Sequence, residues 1–575
     1  MGSFQRHRAS ARLGLVSAAF VALTACAPSS PPSSAPSGGG AQPTAARSGG
    51  TVKLAWGYQP ETLAPKFIGG SGNADWQWIF SSPLTYLDQS GSAKPLLAQE
   101  VPTQANGQWV VNPDGTMVTT YRLRPQNKWH DGTPLTARDF VFAYEVYLDK
   151  DLPITSTVPE SYMERFDVPD DYTLVIHWKQ PFVGANVLGH EQLIPLPRHT
   201  LEAKYRSNRA NFAFGEDWTT AYISEGPFKV EQWNPGASLV AAAHMDFSLG
   251  PPKLDRVEIR FITDPNAQVA NLLSGDVDMI NSPGARAREA VIARDQWAAT
   301  NEGYIKTWSS NSSYLDWQFR EVPNWQRAVT DIRVRKALLH ALDRDALTEA
   351  INLGFAPVAQ AFILPEDPLY ADVDRVITKY PYDPNRSAAF LTEAGWRRPV
   401  SGGQAVNSAG QSLDLETYSN ADQERAATII VDNWKAAGAN SSLFIIPQAR
   451  ARDGELGSNF PGARVSSRGI RPDNFVWIAD EFPTAENRWT GSNRGSFFDA
   501  EIDRLQNVRM TSLDASQRRD AAISALKRLT ELAGPTPFLY SVEVIIARKH
   551  VLGPTGAVPS QNGMTWNIQD WELAR

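Results

Sequence analysis

Residues 112–148, NPDGTMVTTYRLRPQNKWHDGTPLTARDFVFAYEVYL, constrain the fold of this chain more than any other stretch. Asn112-Pro113-Asp114-Gly115 is turn chemistry: proline presets φ and glycine tolerates positive φ. From Thr116 to Leu123 the residues alternate, with Met117, Thr119, Tyr121 and Leu123 on one side, the period of a half-buried strand. His130-Asp131-Gly132-Thr133-Pro134 makes a second turn, and His130 and Asp131 read as turn formers rather than catalysts. Thr136 and Asp139 then stand at the spacing of a capping box or its Ser/Thr-x-x-acidic relative. Phe140, Tyr144, Tyr147 and Leu148 follow at helical intervals. Turn, strand, turn and capped helix in one run point to a mixed α/β chain.

At 575 residues the chain exceeds the size at which one core stops growing, about 250–300 residues, so two or more lobes are expected. A formal net charge of −7 gives no basic domain or stripe, so no nucleic-acid partner is expected. The 18 Trp, 16 Tyr and 24 Phe are enough for a core and for the aromatic walls of a cleft. The single cysteine, Cys26, excludes an internal disulfide and a cysteine-based metal site.

The position of that cysteine is informative. Arg6, Arg8 and Arg12 precede an apolar run from Leu13 to Leu23, too short for a comfortable membrane span. The run ends in Leu23-Thr24-Ala25-Cys26, which resembles the lipobox of bacterial lipoproteins. The resemblance implies cleavage before Cys26 and a diacylglycerol on its thiol. Residues 27–50 are rich in Pro, Ser, Gly and Ala with Arg47 as their only charge, a composition expected to stay disordered. Such a tether reaches on the order of 25–30 Å.

Further along, Thr51–Trp56 reads as a strand. Residues 67–73, FIGGSGN, form a glycine loop whose Gly70, Ser71 and Asn73 allow close approach to a ligand. A helix begins at Asp75, and strands are expected over Tyr172–Trp178, Leu254–Phe261 and Leu413–Tyr418. Asp264-Pro265 and Asp383-Pro384 are helix starts with Asp as cap and Pro in the first turn. Asp276 and Asp278 read as caps and solvated charges rather than metal ligands, and no metal site or cofactor is expected. Asp331–Asp345 is a capped amphipathic helix with Val334, Leu338, Ala341 and Leu342 on one face. Arg333, Arg335 and Arg344 on it are expected in structural ion pairs, with His340 satisfied or solvated. Glu424–Ala437 is a helix, and Phe475–Asp480 reads as a strand. No Walker A run, H-E-x-x-H, G-x-S-x-G or EF-hand loop occurs, and the eight histidines are scattered, so no enzyme activity is expected.

Several of these stretches together resemble one family. YRLRPQNKWHDGTPLTARDFVFAYE is similar to the signature of the extracytoplasmic solute-binding proteins of ABC importers, the oligopeptide/dipeptide/nickel-binding family 5. So are Glu225-Gly226-Pro227-Phe228, the run from Asp264-Pro265 to LLSGDVD, DIRVRKALLHALDRD, and Tyr382-Asp383-Pro384 through Glu393-Ala394-Gly395. The resemblance implies an α/β, two-lobed periplasmic-binding-protein fold with an extra subdomain in lobe 1. The ligand cleft lies between the lobes, which two crossover strands join. It implies a signal peptide over 1–25, the lipidated Cys and tether over 26–50, and lobe 1 over 51–310 with the subdomain at about 85–222. Lobe 2 covers 311–534, and 535–575 return to lobe 1.

The implied function is that of a lipid-anchored substrate-binding protein on the outer face of the cytoplasmic membrane, or in the periplasm. It would act as a monomer, capture short peptides and deliver them to an ABC permease. Phe475-Val476-Trp477-Ile478-Ala479-Asp480 resembles the W-x-x-D strand of the peptide-binding members. There the Asp pairs with the peptide α-ammonium through a charge-assisted hydrogen bond and the Trp lines a side-chain pocket, roles this carries to Asp480 and Trp477. Tyr314, where the chain crosses between lobes, is a further candidate, with Ser313 beside it. Arg471 and Arg488 are possible carboxylate partners. Ala64 stands where the family has Asp, and Glu481-Phe482-Pro483 departs from the family pattern. These departures leave open a non-peptide solute, such as an oligosaccharide, nickel complex or glycolipid-related molecule, and a non-transport regulatory lipoprotein of the envelope.

Overall fold

The computed structural model describes residues 49–67, 73–179, 181–190, 192–282, 284–399, 402–451, 453–470, 475–555 and 563–574. Cys26 and the tether, Gly70, Ser71 and Arg471 lie outside these residues.

A ten-stranded sheet runs through the molecule. Its order is Asn440–Ile446, Asp414–Asn420, Ala463–Gly469, Gly303–Trp317, Thr536–Arg548, Met279–Asn281, Thr51–Trp56, Arg256–Phe261, Ser238–Ala243 and Phe228–Asn234. The two central strands are the longest, at 15 and 13 residues, and pair antiparallel from Gly303–Arg548 to Leu315–Thr536. Their register shifts between Ser309 and Ser312, a local irregularity that adds twist.

Hydrophobic burial divides the protein about these two strands. On one side Trp56, Trp76, Phe80, Trp218 and Trp571 pack around Thr51–Trp56, with Ala55, Val544 and Ile546 filling the other face of the sheet. On the other side Trp317, Leu338, Trp434 and Phe538 form a second core. A third core, with Tyr121, Trp129 and Trp178, belongs to the separate four-stranded sheet built from Trp109–Val111, Met117–Arg122, Thr173–Trp178 and Met163–Asp170.

Stretch 112–148 takes the expected form. Met117, Thr119, Tyr121 and Leu123 are all buried, as their alternation requires. The helix is Ala137–Tyr147, and Asp139 Oδ2 accepts from the Thr136 N–H at 2.8 Å. Asp139 Oδ1 also accepts from the Arg198 N–H at 3.1 Å, so one side chain caps a helix and ties down a second segment. Asp264 accepts from the Ala267 N–H (2.7 Å) and Asp383 from the Arg386 N–H (2.9 Å), both ahead of a first-turn proline.

Three expectations are corrected. The helix from Asp331 stops at His340, and a second one, Arg344–Asn352, begins after Asp343 accepts from the Ala346 N–H. A second capping Asp inside an apolar-periodic run divides it. Of the three arginines only Arg333 makes an ion pair among the described residues, with Asp331. Arg335 and Arg344 are buried and donate to carbonyls: Arg335 to Ala533, Leu532, Val329 and Thr330, and Arg344 to Tyr380 at 2.6 Å. Residues 475–480 are not a strand. Phe475, Val476 and Trp477 are all buried, which breaks the alternation, and Ala479–Glu481 is a single 3-10 turn. Its polar groups meet the following loop instead: Asn493 donates to Ile478 O and Glu481 O, and Glu481 Oε2 accepts from the Ser492 N–H.

Candidate functional site

A cleft of 620 Å3 opens between the subdomain side and the far lobe. Its near wall is the tip of the hairpin joining Thr85–Leu87 to Ala93–Pro95, together with residues 182–184 and Val187. The tip is rigid because Asp88 Oδ1 accepts from the N–H groups of Ser90 (2.9 Å) and Ser92 (3.0 Å). The volume falls within the usual range for small-molecule sites, about 300–1,000 Å3.

The far wall is aromatic. Trp477 is 2% exposed, its ring lies 3.7 Å from that of Phe362, and both line the cleft. Tyr314, on the hinge strand, buttresses them edge-on, 5.5 Å from Phe362 and 5.7 Å from Trp477. Phe475 completes the group at 5.4 Å. These rings lock one another's rotamers, so the wall is preformed. The neighbouring hydroxyl of Ser313 donates to Gln423 Oε1 (2.7 Å) and is already used.

The polar lining is cationic. Arg468, Arg509, Arg518 and Arg519 face the cleft, against Asp367 among the described lining residues. The Arg468 guanidinium sits 5.9 Å from the Trp477 ring centroid, a stacked cation–π contact. Arg518 donates to Ser512 O and Arg519 pairs with Asp372. Burial raises the Asp367 carboxyl, and Arg509 pulls it partly back.

Asp480 is exposed at the single turn Ala479–Glu481 and forms no hydrogen bond or ion pair among the described residues. It lies outside the residues lining this cleft. Asn73 opens the helix Asn73–Phe80 and its side chain is outside the description. Asp75, two residues on, is pushed up to about 7, chiefly by burial, with Glu543 of the hinge strand adding to the shift. Arg488 adopts φ +55° in the loop beyond Asp480. The structure thus brings Trp477 and Tyr314 together and leaves Asp480 outside the cleft lining. Sequence reasoning missed Phe362 and the arginines. The alternation Arg464-x-Ser466-x-Arg468 was the available signal, since it sets both arginines on one face of a strand.

The profile of the bacterial extracellular solute-binding proteins, family 5, matches residues 95–480, about two thirds of the chain, and the chain belongs to that family. The oligopeptide-binding protein AppA of Bacillus subtilis is 24% identical over 590 aligned positions, which span 99% of this chain and 100% of AppA. The AppA structure with a nonapeptide superposes with a TM-score of 0.67 at 23% identity, covering 92% of this chain and 100% of that one. NikA of Brucella suis with Fe(III)-EDTA gives 0.73 at 20% identity, covering 91% and 99%. At these identities the superpositions establish the two-lobed fold alone. A Brucella ovis protein, provisionally described as an ABC transporter peptide-binding protein, is 24% identical over 376 residues, and the match spans 63% of each chain. No helix among the described residues is long and apolar enough to cross a membrane.

Proposed function

We propose that this chain is the substrate-binding protein of an ABC transporter and that it captures short peptides. The observation that carries the reading is the preformed aromatic wall of Trp477, Phe362 and Tyr314, set against a second wall from the other lobe across the hinge strands. A ligand touching both walls favours the closed arrangement, because only that form offers both sets of contacts. Aromatic area accepts varied side chains, and backbone groups can meet a peptide main chain as in strand addition. The peptide-binding description of the Brucella relative and of AppA supports this ligand class.

Asp480 is the α-ammonium partner in this reading. It is a carboxylate with no partner of its own among the described residues, one turn beyond Trp477. Gly70, Ser71 and Asn73, the first two outside the described residues, are the backbone contacts that this reading adds. The lobes divide at 310/311 and 534/535, within the long strand Gly303–Trp317 and just before Thr536–Arg548. The chain is anchored through lipid on Cys26 at the outer face of the membrane. It works as a monomer, hands its cargo to the permease, and performs no catalysis.

The test is calorimetric titration with matched peptides carrying a free or an acetylated N-terminus. Acetylation is expected to weaken binding about ten-fold or more, and Asp480→Asn to erase that difference. Equal binding of both peptides removes Asp480 from the site. Cys26→Ala protein that stays on the membrane and supports transport as before would break the link to anchoring.

A further inference from the structure

We infer that Phe355 is a strut behind the two long strands that opposes closure of the cleft, so that affinity is set partly by a contact the ligand never touches. The inference rests on capture between the lobes, as proposed above, and does not depend on which ligand is captured.

Strand alternation fixes the side on which this residue lies. Leu315 and Trp317 alternate with Tyr314 along Gly303–Trp317, so they point away from the aromatic wall of the cleft. They share a core with Leu347 of the helix Arg344–Asn352, which places that helix on the sheet face opposite Trp477. The end of the helix is tied to the other long strand. Asn352 is buried and donates Nδ2 to Tyr540 O at 2.9 Å, and Val358 bridges Leu539.

Between these two ties the chain turns sharply. Leu353 has φ +52° and Gly354 φ +82°, and the Phe355 N–H closes the turn by donating to Asn352 O at 2.9 Å. A leucine seldom adopts this left-handed conformation, and its side chain is exposed, so its own packing does not hold it there. The turn carries Phe355 out of one core and into another. Phe355 packs against the core of Ala55, Trp297, Val544 and Ile546, on the sheet face away from Trp56. Trp297 in that core lies directly on the start of Gly303–Trp317: a Cβ on Gly303 would stand 2.1 Å from its Cζ3.

The seam is built to part. Phe355 is only half-buried, and a hollow of 330 Å3 lined by Phe355, Trp297, Ile305 and Thr307 lies beside it. Closing a cleft on one face of a two-stranded hinge spreads the opposite face. Closure therefore draws Phe355 off the Trp297 core and returns apolar surface to water. The contact favours the open arrangement, and the measured affinity is lowered by the fraction of molecules held there.

The experiment titrates the full chain with one set of short peptides by calorimetry, comparing the unaltered protein with Phe355→Ala and Phe355→Trp. Phe355→Ala is expected to bind about five- to ten-fold more tightly, and Phe355→Trp, whose larger ring extends into the hollow, more weakly. Unchanged affinity in Phe355→Ala, or weaker binding by both variants, would make the residue a structural filler and overturn the inference. Should Phe355→Ala fail to fold, Phe355→Trp decides: weaker binding supports the strut, and unchanged or tighter binding overturns it. If no peptide binds any of the three proteins, peptide capture falls, and small-angle scattering of the ligand-free proteins judges the strut alone. A smaller radius of gyration in Phe355→Ala then keeps it, and superimposable curves overturn it.

Discussion

The protein holds two kinds of buried charge, satisfied and unsatisfied. In the first lobe Lys66 and Glu160 are 1% and 0% exposed and pair at 2.6 Å. Every remaining valence is used: Lys66 Nζ also donates to Val158 O (3.2 Å), its charge lies 5.3 Å from the Tyr147 ring centroid, and Glu160 Oε1 accepts from the Leu193 N–H (2.7 Å). In the far lobe Arg464 is almost as buried and has no comparable set among the described residues. A completed pair can hold three loops in register, because losing either member strands a charge in a dry interior. An incomplete one contributes little to the resting fold and leaves interaction energy for something that arrives later. Buried charge that is satisfied marks scaffold, and buried charge that is not marks a place to look for ligand.

The sharpest way to break this contrast is Glu160→Gln. Leaving Lys66 buried without its counter-charge should cost about 3–5 kcal/mol, read from urea midpoints at constant slope. A loss under about 1 kcal/mol would show that water reaches the pair and that the first lobe is not the dry scaffold described. Arg335→Met is expected to cost about 3 kcal/mol, since four carbonyls lose their donor at once.

Glu225 sharpens the comparison from between the two cases. It is 1% exposed and accepts only neutral donors, the Ser82 N–H (2.7 Å) and the Ser224 hydroxyl (2.7 Å). Burial lifts its carboxyl from 4.5 to about 8. The folded protein therefore keeps this proton where the unfolded chain releases it. The associated stability is whole below pH 4.5 and is lost as pH rises through about 8. Glu225→Gln should flatten that part of the stability–pH curve, and an unchanged slope would show that another group carries it. The smallest effect belongs to Arg464→Met, which should leave stability within about 1 kcal/mol or raise it. A loss as large as that of Arg335→Met would place Arg464 in the scaffold and dissolve the contrast.

Local patterns in the sequence were a good guide where one element satisfies itself. The strand and capped helix of 112–148, the Asp-Pro helix starts and the helix Glu424–Ala437 all form as read, because alternation, caps and helical spacing are properties of neighbouring residues. Reading failed where long-range packing decides. Phe475 to Trp477 look like a strand, but three consecutive side chains are drawn inward against Phe362 and Tyr314, residues distant in the chain. Arg335 and Arg344 look like surface ion pairs because nothing local reveals the carbonyls of 532–533 and Tyr380 that receive them. The site was half legible. Trp477 carries a family pattern, whereas Phe362 stands in no motif, and the alternation of Arg464, Ser466 and Arg468 gains its meaning only from the register of Gly303–Trp317 with Ala463–Gly469.

Native mass spectrometry of the freshly purified protein, followed by denaturation and identification of whatever is released, tests peptide capture most directly. The account predicts a heterogeneous set of short peptides with free C-termini, displaced by added peptide pools. A single non-peptide mass, or a protein that is empty and shows no thermal shift with those pools, would contradict it.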